Sequence, residues 1–415
     1  MRQRYSLASL ARHALAGHRG WRPLWRDPEP KASYDVVIVG GGGHGLAIAY
    51  YLATRHGIRD VAVLERAWIG SGASGRNTQV TRSNYFYPPS ARFYDHSLRL
   101  YEQLTSELNF NLMLSQRGIV TLASSRHELE HTRRWANAVH LNGVDSRMLS
   151  RADLARLMPG LNLDARLPVV GGFIQPRGGI TRHDAVVWAF ARAADAAGVD
   201  LVQSCEVRGL RFDRGRIAAL ETSRGAIGAG RVVFAVAGHS SALARLAGFR
   251  LPLVSMTLQA MVTEPVAPVL DTVVLSPAIH VYVGQTDRGE LCFGGGADVH
   301  NSYAQRGSLP TMEDVVTALV ELFPAYSRLR LLRQWGGIVD ISPDTSPILG
   351  KSPVDNLYLD CGFGTGGYKA IPAAGETLAY TVAHDRAHPL IEPFGLERFR
   401  RGAWIDEGAA AGVAH

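Results

Sequence analysis

Residues 35–45 read Asp-Val-Val-Ile-Val-Gly-Gly-Gly-Gly-His-Gly, an apolar, β-branched run that ends abruptly in Gly40-x-Gly42-x-x-Gly45. The run reads as a buried strand, Asp35 to Val39. Gly40 permits a tight turn, and Gly42 lets the backbone approach a pyrophosphate. Gly45 lets a helix, expected over about Gly45 to Arg55, pack on the strand. The start of that helix offers free amides and a positive dipole end to phosphate. Asp60 to Glu65 reads as a second strand. A carboxylate at its end, Glu65, can accept both ribose hydroxyls and repels a 2′-phosphate, so a dinucleotide other than NADP is expected.

Two further Gly-rich stretches, 71–77 and 362–369, favour FAD over NAD. Small, amide-rich loops can wrap phosphate or a flavin edge, and three of them converging suit a long, enclosed ligand. The candidate FAD contacts are Gly40, Gly42, Gly43, His44 and Gly45 in the first loop, and Glu65 and Arg66 after the second strand. Ser74, Arg76, Asn77, Thr78 and Val80 follow in the second loop, then Val207, and Gly364, Gly366, Gly367 and Lys369 in the third. His44 is expected near the phosphates but not as a base, because a helix N-terminus disfavours an added proton.

Strands and helices alternate at both ends of the chain, which indicates a parallel sheet with helical crossovers. Helices are expected near Ser90 to Leu108, Ser125 to Leu141, Thr181 to Ala197 and Met312 to Leu322. Strands are expected at Leu201 to Val207, Gly209 to Phe212, Ile217 to Thr222 and Arg231 to Val236. The region Leu253 to Gly296 reads as mixed strands. The fold class is therefore α/β (α+β): a Rossmann-like FAD-binding domain with a second, mostly antiparallel β-sheet substrate domain. The expected FAD domain is discontinuous, 34–110, 175–250 and 330–385. The substrate domain takes 111–174 and 251–329, and 386–415 form a tail.

Residues 1–33 form a basic arm, in which 1–31 carry seven Arg and Lys against Asp27 and Glu29, most of the net +7. Leu7, Leu10, Ala11 and Ala14 have helical spacing. The arm can dock on the chain's own body, on a partner subunit or on anionic lipid. Cys205, Cys292 and Cys361 are scattered, which argues against a disulfide framework or a metal site. No apolar run approaches the ~20 residues of a membrane span, and Met1 to Gly20 hold no apolar core of the kind a signal peptide requires, so the cytoplasm is expected. No nucleic-acid partner is indicated.

The three Gly-rich loops, in this order, resemble the D-amino-acid oxidase and sarcosine oxidase class of flavoproteins. Closer still, the chain resembles β subunits of heterotetrameric sarcosine oxidases over 33–47, Arg76-Asn-Thr, Arg82 to Tyr85, Ser115 to Gly118, Arg182-His-Asp184, Arg333 to Asp340 and Gly362 to Lys369. The resemblance runs from about Tyr5 to Ile405. Residues 79–81 and Phe363 depart from the family pattern. The resemblance implies noncovalent FAD that oxidises sarcosine or a similar N-methyl amino acid, with O2 as final acceptor and hydrogen peroxide as product. It implies a second flavin, FMN, attached covalently to His183. It also implies a large partner subunit with NAD and folate sites, to which a formaldehyde equivalent could pass.

Thr181 and Asp184 read as a capping-box pair that puts His183 in a first helical turn, near solvent and free amides. A neutral imidazole there could attack a flavin 8α-carbon, and Arg177 and Arg182 could balance flavin or phosphate charge. Arg82 offers a planar fork and Lys369 a compact charge for the substrate carboxylate. In related single-chain enzymes an Arg and a Lys in matching motifs hold that group. His280, Tyr282 and His300 read as structural. Two other functions remain open on the sequence: a stand-alone FAD amine or D-amino-acid oxidase, and a membrane-surface FAD dehydrogenase.

Overall fold

A strand that is apolar on both faces needs a layer on each side, and that requirement organises the molecule. The computed structural model describes residues 6–21, 23–298 and 300–405. Expectations that concern Arg2, Arg4, Tyr5, Arg22 and the tail from residue 406 lie outside the described residues.

The chain begins with α1 (Leu7–Leu15), β1 (Ser33–Val39), α2 (Gly43–Arg55), β2 (Val61–Leu64), β3 (Val80–Thr81) and α3 (Pro88–Glu107). It continues through β4 (Ile119–Ala123), α4 (Arg126–Leu141), β5 (Arg147–Ser150), α5 (Arg151–Leu157), β6 (Gly171–Gln175), β7 (Gly179–Ile180) and α6 (His183–Ala196). Next come β8 (Asp200–Val202), β9 (Val207–Asp213), β10 (Arg216–Thr222), β11 (Gly225–Phe234), α7 (Ser240–Leu246), β12 (Val254–Pro265), β13 (Val273–Ser276), β14 (Val281–Gln285) and β15 (Glu290–Ala297). The last are α8 (Leu309–Leu322), β16 (Leu331–Ile341), β17 (Ile348–Lys351), β18 (Leu357–Cys361), α9 (Gly367–His384) and α10 (Arg398–Arg401).

The first sheet has the order β17-β18-β11-β1-β2-β8, with the β9–β10 hairpin added to β11. Its centre is parallel: β1 pairs in parallel with β2 and β11, and β11 with β18. Side chains alternate across a strand. Val36 and Ile38 thus join the core under α2, α3, α6 and α9, while Val37 and Val39 join the opposite layer with Ile217, Leu220 and Ala244. The second sheet has the order β16-β12-β15-β14-β13-β4-β6-β5. It is antiparallel except for β13 beside β4, and α5 and α8 help close its apolar face. The α/β class with a second, mostly antiparallel sheet is therefore realised.

Three local differences from the sequence reading have plain causes. Leu331–Ile341 pairs along its length with β12, so this part of the 330–385 segment belongs to the second sheet. The strand expected over Leu201 to Val207 stops at Val202, where the Cys205 amide turns back to the Glu65 carbonyl and Ser204 takes φ +50°. Helix α6 is capped by Arg182 without a side-chain bond, because Thr181 is engaged by the Tyr368 hydroxyl at 2.6 Å. No capping box forms there.

The arm divides in two. Trp25 packs on the first core, Arg26 pairs with Asp195, and Lys31 pairs with Asp60. Asp27 caps the Gln203 amide. Residues 25–31 thus dock on the chain's own body. Helix α1 forms as its spacing suggests, yet it buries nothing, and Leu7, Leu10 and Leu15 are exposed. No helix among the described residues is long and apolar enough to cross a membrane.

Candidate functional site

Helices α2 and α9 both start against a cavity of about 550 Å³ lying between the two sheets. This is an ordinary size for a small-molecule site. Gly40 (φ +115°) makes the turn out of β1, and a Cβ there would stand 2.2 Å from the Ala235 carbonyl oxygen. At Gly45 a Cβ would stand 2.0 Å from the Gly40 oxygen, so the turn and helix can close only on glycine. Gly40, Gly42 and His44 line the cavity. Gly43, Gly45 and Gly366 do not. Side chains at Gly43 and Gly366 would strike Ile371 and the Tyr94 hydroxyl, so these glycines serve packing behind the wall.

Glu65 is held ready at the end of β2. One carboxylate oxygen accepts the Gly41 amide at 2.9 Å, and the other accepts the Ala67 amide at 2.9 Å and the Ser71 hydroxyl at 3.2 Å. Such an oriented acceptor, beside the positive dipole end of α2, fits the ribose and pyrophosphate of FAD. Glu65, Arg66, Ser74, Arg76, Asn77, Thr78, Val80, Val207, Gly364, Gly367 and Lys369 all line the cavity. Several spend their polar atoms on the wall. The Ser74 hydroxyl accepts the Gly43 amide, Asn77 donates to the Ser74 carbonyl, and Arg76 donates to the Ser71 and Gly72 carbonyls and to Gln305.

At the other end, Arg82 and Lys369 approach each other although both are buried. Arg82 donates to Asn84 at 2.7 Å and lies over the Tyr85 ring. Lys369 donates to the Thr365 carbonyl at 2.8 Å. Burial, then the Arg82 charge, holds the Lys369 ammonium well below its usual pKa. An anion bound between the two basic side chains would offset the burial and repulsion that disfavour the Lys369 ammonium. Tyr282 also lines this end, hydrogen-bonded to Thr78, whereas His280 and His300 are exposed.

His44 departs from expectation. Its Nε2 donates to the Gly367 carbonyl at 2.8 Å, while Nδ1 lies 2.8 Å from Asp360 Oδ2. Burial opposes the charged form, but the Asp360 carboxylate outweighs it and the imidazole pKa is raised. The Asp360 contact thus opposes the helix dipole and favours the charged form of the imidazole. Asp360 and Asp340, both cavity residues, escaped the sequence reading. Each lies just before or within a stretch already singled out, but nothing local marks it as facing the same imidazole.

His183, Arg182 and Arg177 stand outside this cavity. Half-buried His183 begins α6, and its Nδ1 is buried with no hydrogen-bond partner. Burial lowers its pKa, so the imidazole is neutral at neutral pH. Arg182 pairs with Asp184 at 2.6 Å, and Arg177 pairs with Glu102 and Asp95. Both guanidinium groups are thus already balanced by carboxylates. A neutral ring with an unused buried nitrogen fits a covalent group at His183.

Residues 35–381 match the family described as DAO, FAD dependent oxidoreductase. The chain is 50% identical over 414 residues to the sarcosine oxidase subunit beta of Rhodobacter capsulatus, with all of both chains covered. It is 52% identical to the Arthrobacter sp protein of the same name, over 94% of this chain and 97% of that one. In three dimensions it is similar to L-proline dehydrogenase from P. horikoshii, with TM-score 0.84, 26% identity, and 90% and 99% of the two chains covered.

Proposed function

Because the chain belongs to the FAD dependent oxidoreductase family, and within it to the sarcosine oxidase β subunits, we propose that it is the sarcosine-oxidising subunit of a two-flavin hetero-oligomer. The observation that carries this reading is the pair of buried basic side chains, Arg82 and Lys369, lining the same cavity as Glu65 and the start of α2. FAD, when bound, supplies the two-electron acceptor. The chain's own residues supply position. Glu65 and the α2 N-terminus would hold the adenosine and pyrophosphate. Arg82 and Lys369 would clamp the amino-acid carboxylate, leaving the N-methyl group directed along the cavity. A neutral amine fits here better than an ammonium, because Arg82 and Lys369 disfavour further positive charge. Sarcosine and water would yield glycine and a formaldehyde equivalent, with O2 reduced to hydrogen peroxide.

His183 would hold FMN through its unpartnered Nδ1, the ring being neutral and outside the FAD cavity. Its half-buried place at the start of α6, outside the FAD cavity, suits a second flavin shared with a partner subunit, and NAD and folate sites would belong to that partner. Exposed α1 suits the same partner. The test is acid precipitation of protein co-expressed with its partner: yellow, fluorescent flavin should stay on this chain, and His183→Ala should release it. Wild-type protein that gives up all its flavin would remove the FMN assignment while leaving the FAD site intact.

A further inference from the structure

The floor of the cavity holds an unusual charge inventory. Asp340, at the end of β16, is 3% exposed, lines the cavity, and accepts the Gly362 amide at 2.5 Å through Oδ2. No cation forms an ion pair with it among the described residues. Asp360 of β18 lies behind it, with no exposure of its side chain. The groups facing Asp340 are His44 from α2, and Asp360 and Cys361 from β18. His44 is already committed to Asp360, and the Cys361 thiol is held neutral, well above its usual pKa, by burial first and then by the two carboxylates. Two ionised carboxylates beside a single imidazole would leave a net negative charge in a buried site whether or not the ring is protonated. The same site must also accept an anionic diphosphate.

We propose that Asp340 is a cofactor-positioning residue that is protonated when FAD is bound, so that loading FAD draws one proton from solvent onto this carboxyl. Oδ2 is engaged by Gly362, so the proton sits on Oδ1. It cancels one of the two buried negative charges and turns an acceptor into a donor toward the cofactor. Burial first, and then the Asp360 charge, raise Asp340 to about 7 even before any cofactor charge is added. The diphosphate pushes the group further in the same direction. Nothing in the chemistry requires Asp340 to touch substrate.

The inference rests on FAD as the ligand of this cavity, and the experiment separates the two. Full-length chain, purified with its partner and stripped of noncovalent flavin, is titrated with FAD by calorimetry at pH about 8 in phosphate and in Tris. For wild type the apparent enthalpies should differ between the two buffers, reporting proton uptake. The FAD Kd should also rise with pH above about 7, by up to about tenfold per pH unit for one linked proton. Asp340→Asn, which fixes the neutral form, should bind FAD with no buffer difference and a flat pH profile. His44 and His239 also face the cavity, so an Asn variant that keeps the wild-type slope assigns the proton to them and overturns the proposal. Identical enthalpies for wild type in the two buffers overturn it without any variant. A protein that binds no FAD at any pH overturns the cofactor reading itself.

Discussion

Replacing Lys369 by Met should make the free protein more stable and its complex with sarcosine much weaker. The ammonium is buried and donates only to the Thr365 carbonyl, has no ion-pair partner among the described residues, and stands near the Arg82 charge. Burial first, and Arg82 second, lower its pKa. Native Lys369 therefore binds its proton less tightly than the unfolded residue does. Between the two pKa values the unfolded chain holds more protons, so this group makes stability rise with pH across that window. Methionine has similar length and no charge. Its advantage should be largest at acid pH and disappear as pH passes the ordinary lysine range. The complex should behave oppositely, because truncating one partner of a buried charged pair costs about 2–5 kcal/mol. That corresponds to roughly 30- to several-thousandfold in the sarcosine Kd. Anaerobic titration of flavin bleaching measures the loss, and denaturant unfolding across pH measures the gain. A Met variant that binds sarcosine within about threefold of wild type, a difference of well under 1 kcal/mol, would refute the carboxylate clamp. One that is less stable at every pH would refute the idea that an unpaired charge is held there for binding.

Two other substitutions probe the frame around the site. Glu65→Gln must turn an amide NH2 toward Gly41 N–H or toward Ala67 N–H and Ser71. The cost of about 1–3 kcal/mol for an unmet buried donor should weaken FAD binding roughly ten- to a hundredfold, read by quenching of flavin fluorescence. Arg398→Ala removes a buried guanidinium that donates to both oxygens of Asp344 at 2.8 Å and to the Ser346 and Phe394 carbonyls. Leaving Asp344 uncompensated should cost about 3–5 kcal/mol in denaturant unfolding. Burial pushes the Asp344 carboxyl up, but Arg398 and further hydrogen bonds hold it below its usual range. That stabilisation is present at neutral pH and is lost as pH falls through the native pKa. The variant should therefore lose this term and unfold at a higher pH during acid titration.

How much of this was legible in the chain depends on the sequence distance over which each feature is decided. The β1 turn, Gly40, Gly45 and Glu65 are settled within about thirty residues, by backbone sterics and by the length of one β-α-β step. The pattern therefore fixes them without knowledge of the rest. Glycine is ambiguous in a different way. A missing Cβ reads the same whether a cofactor or a helix crowds the backbone, so Gly43 and Gly366 looked like ligand contacts while Ile371 and Tyr94 explain them. Amphipathic spacing in α1 announced a helix but not what covers its leucines, because the periodicity of one element carries no information about its neighbour. Charge was least legible of all. His44 and Asp360 lie 316 residues apart, and the upward shift of the His44 pKa comes from that contact against the opposing burial and helix dipole. A dipole near a helix end contributes about 0.3–1 kcal/mol at ordinary sites, whereas a buried carboxylate at hydrogen-bond distance acts through a far stronger field. Any reading that assigns protonation from local elements alone will therefore err in the same direction wherever the fold delivers a carboxylate to a helix start, and the charges lining the cavity must be counted in three dimensions.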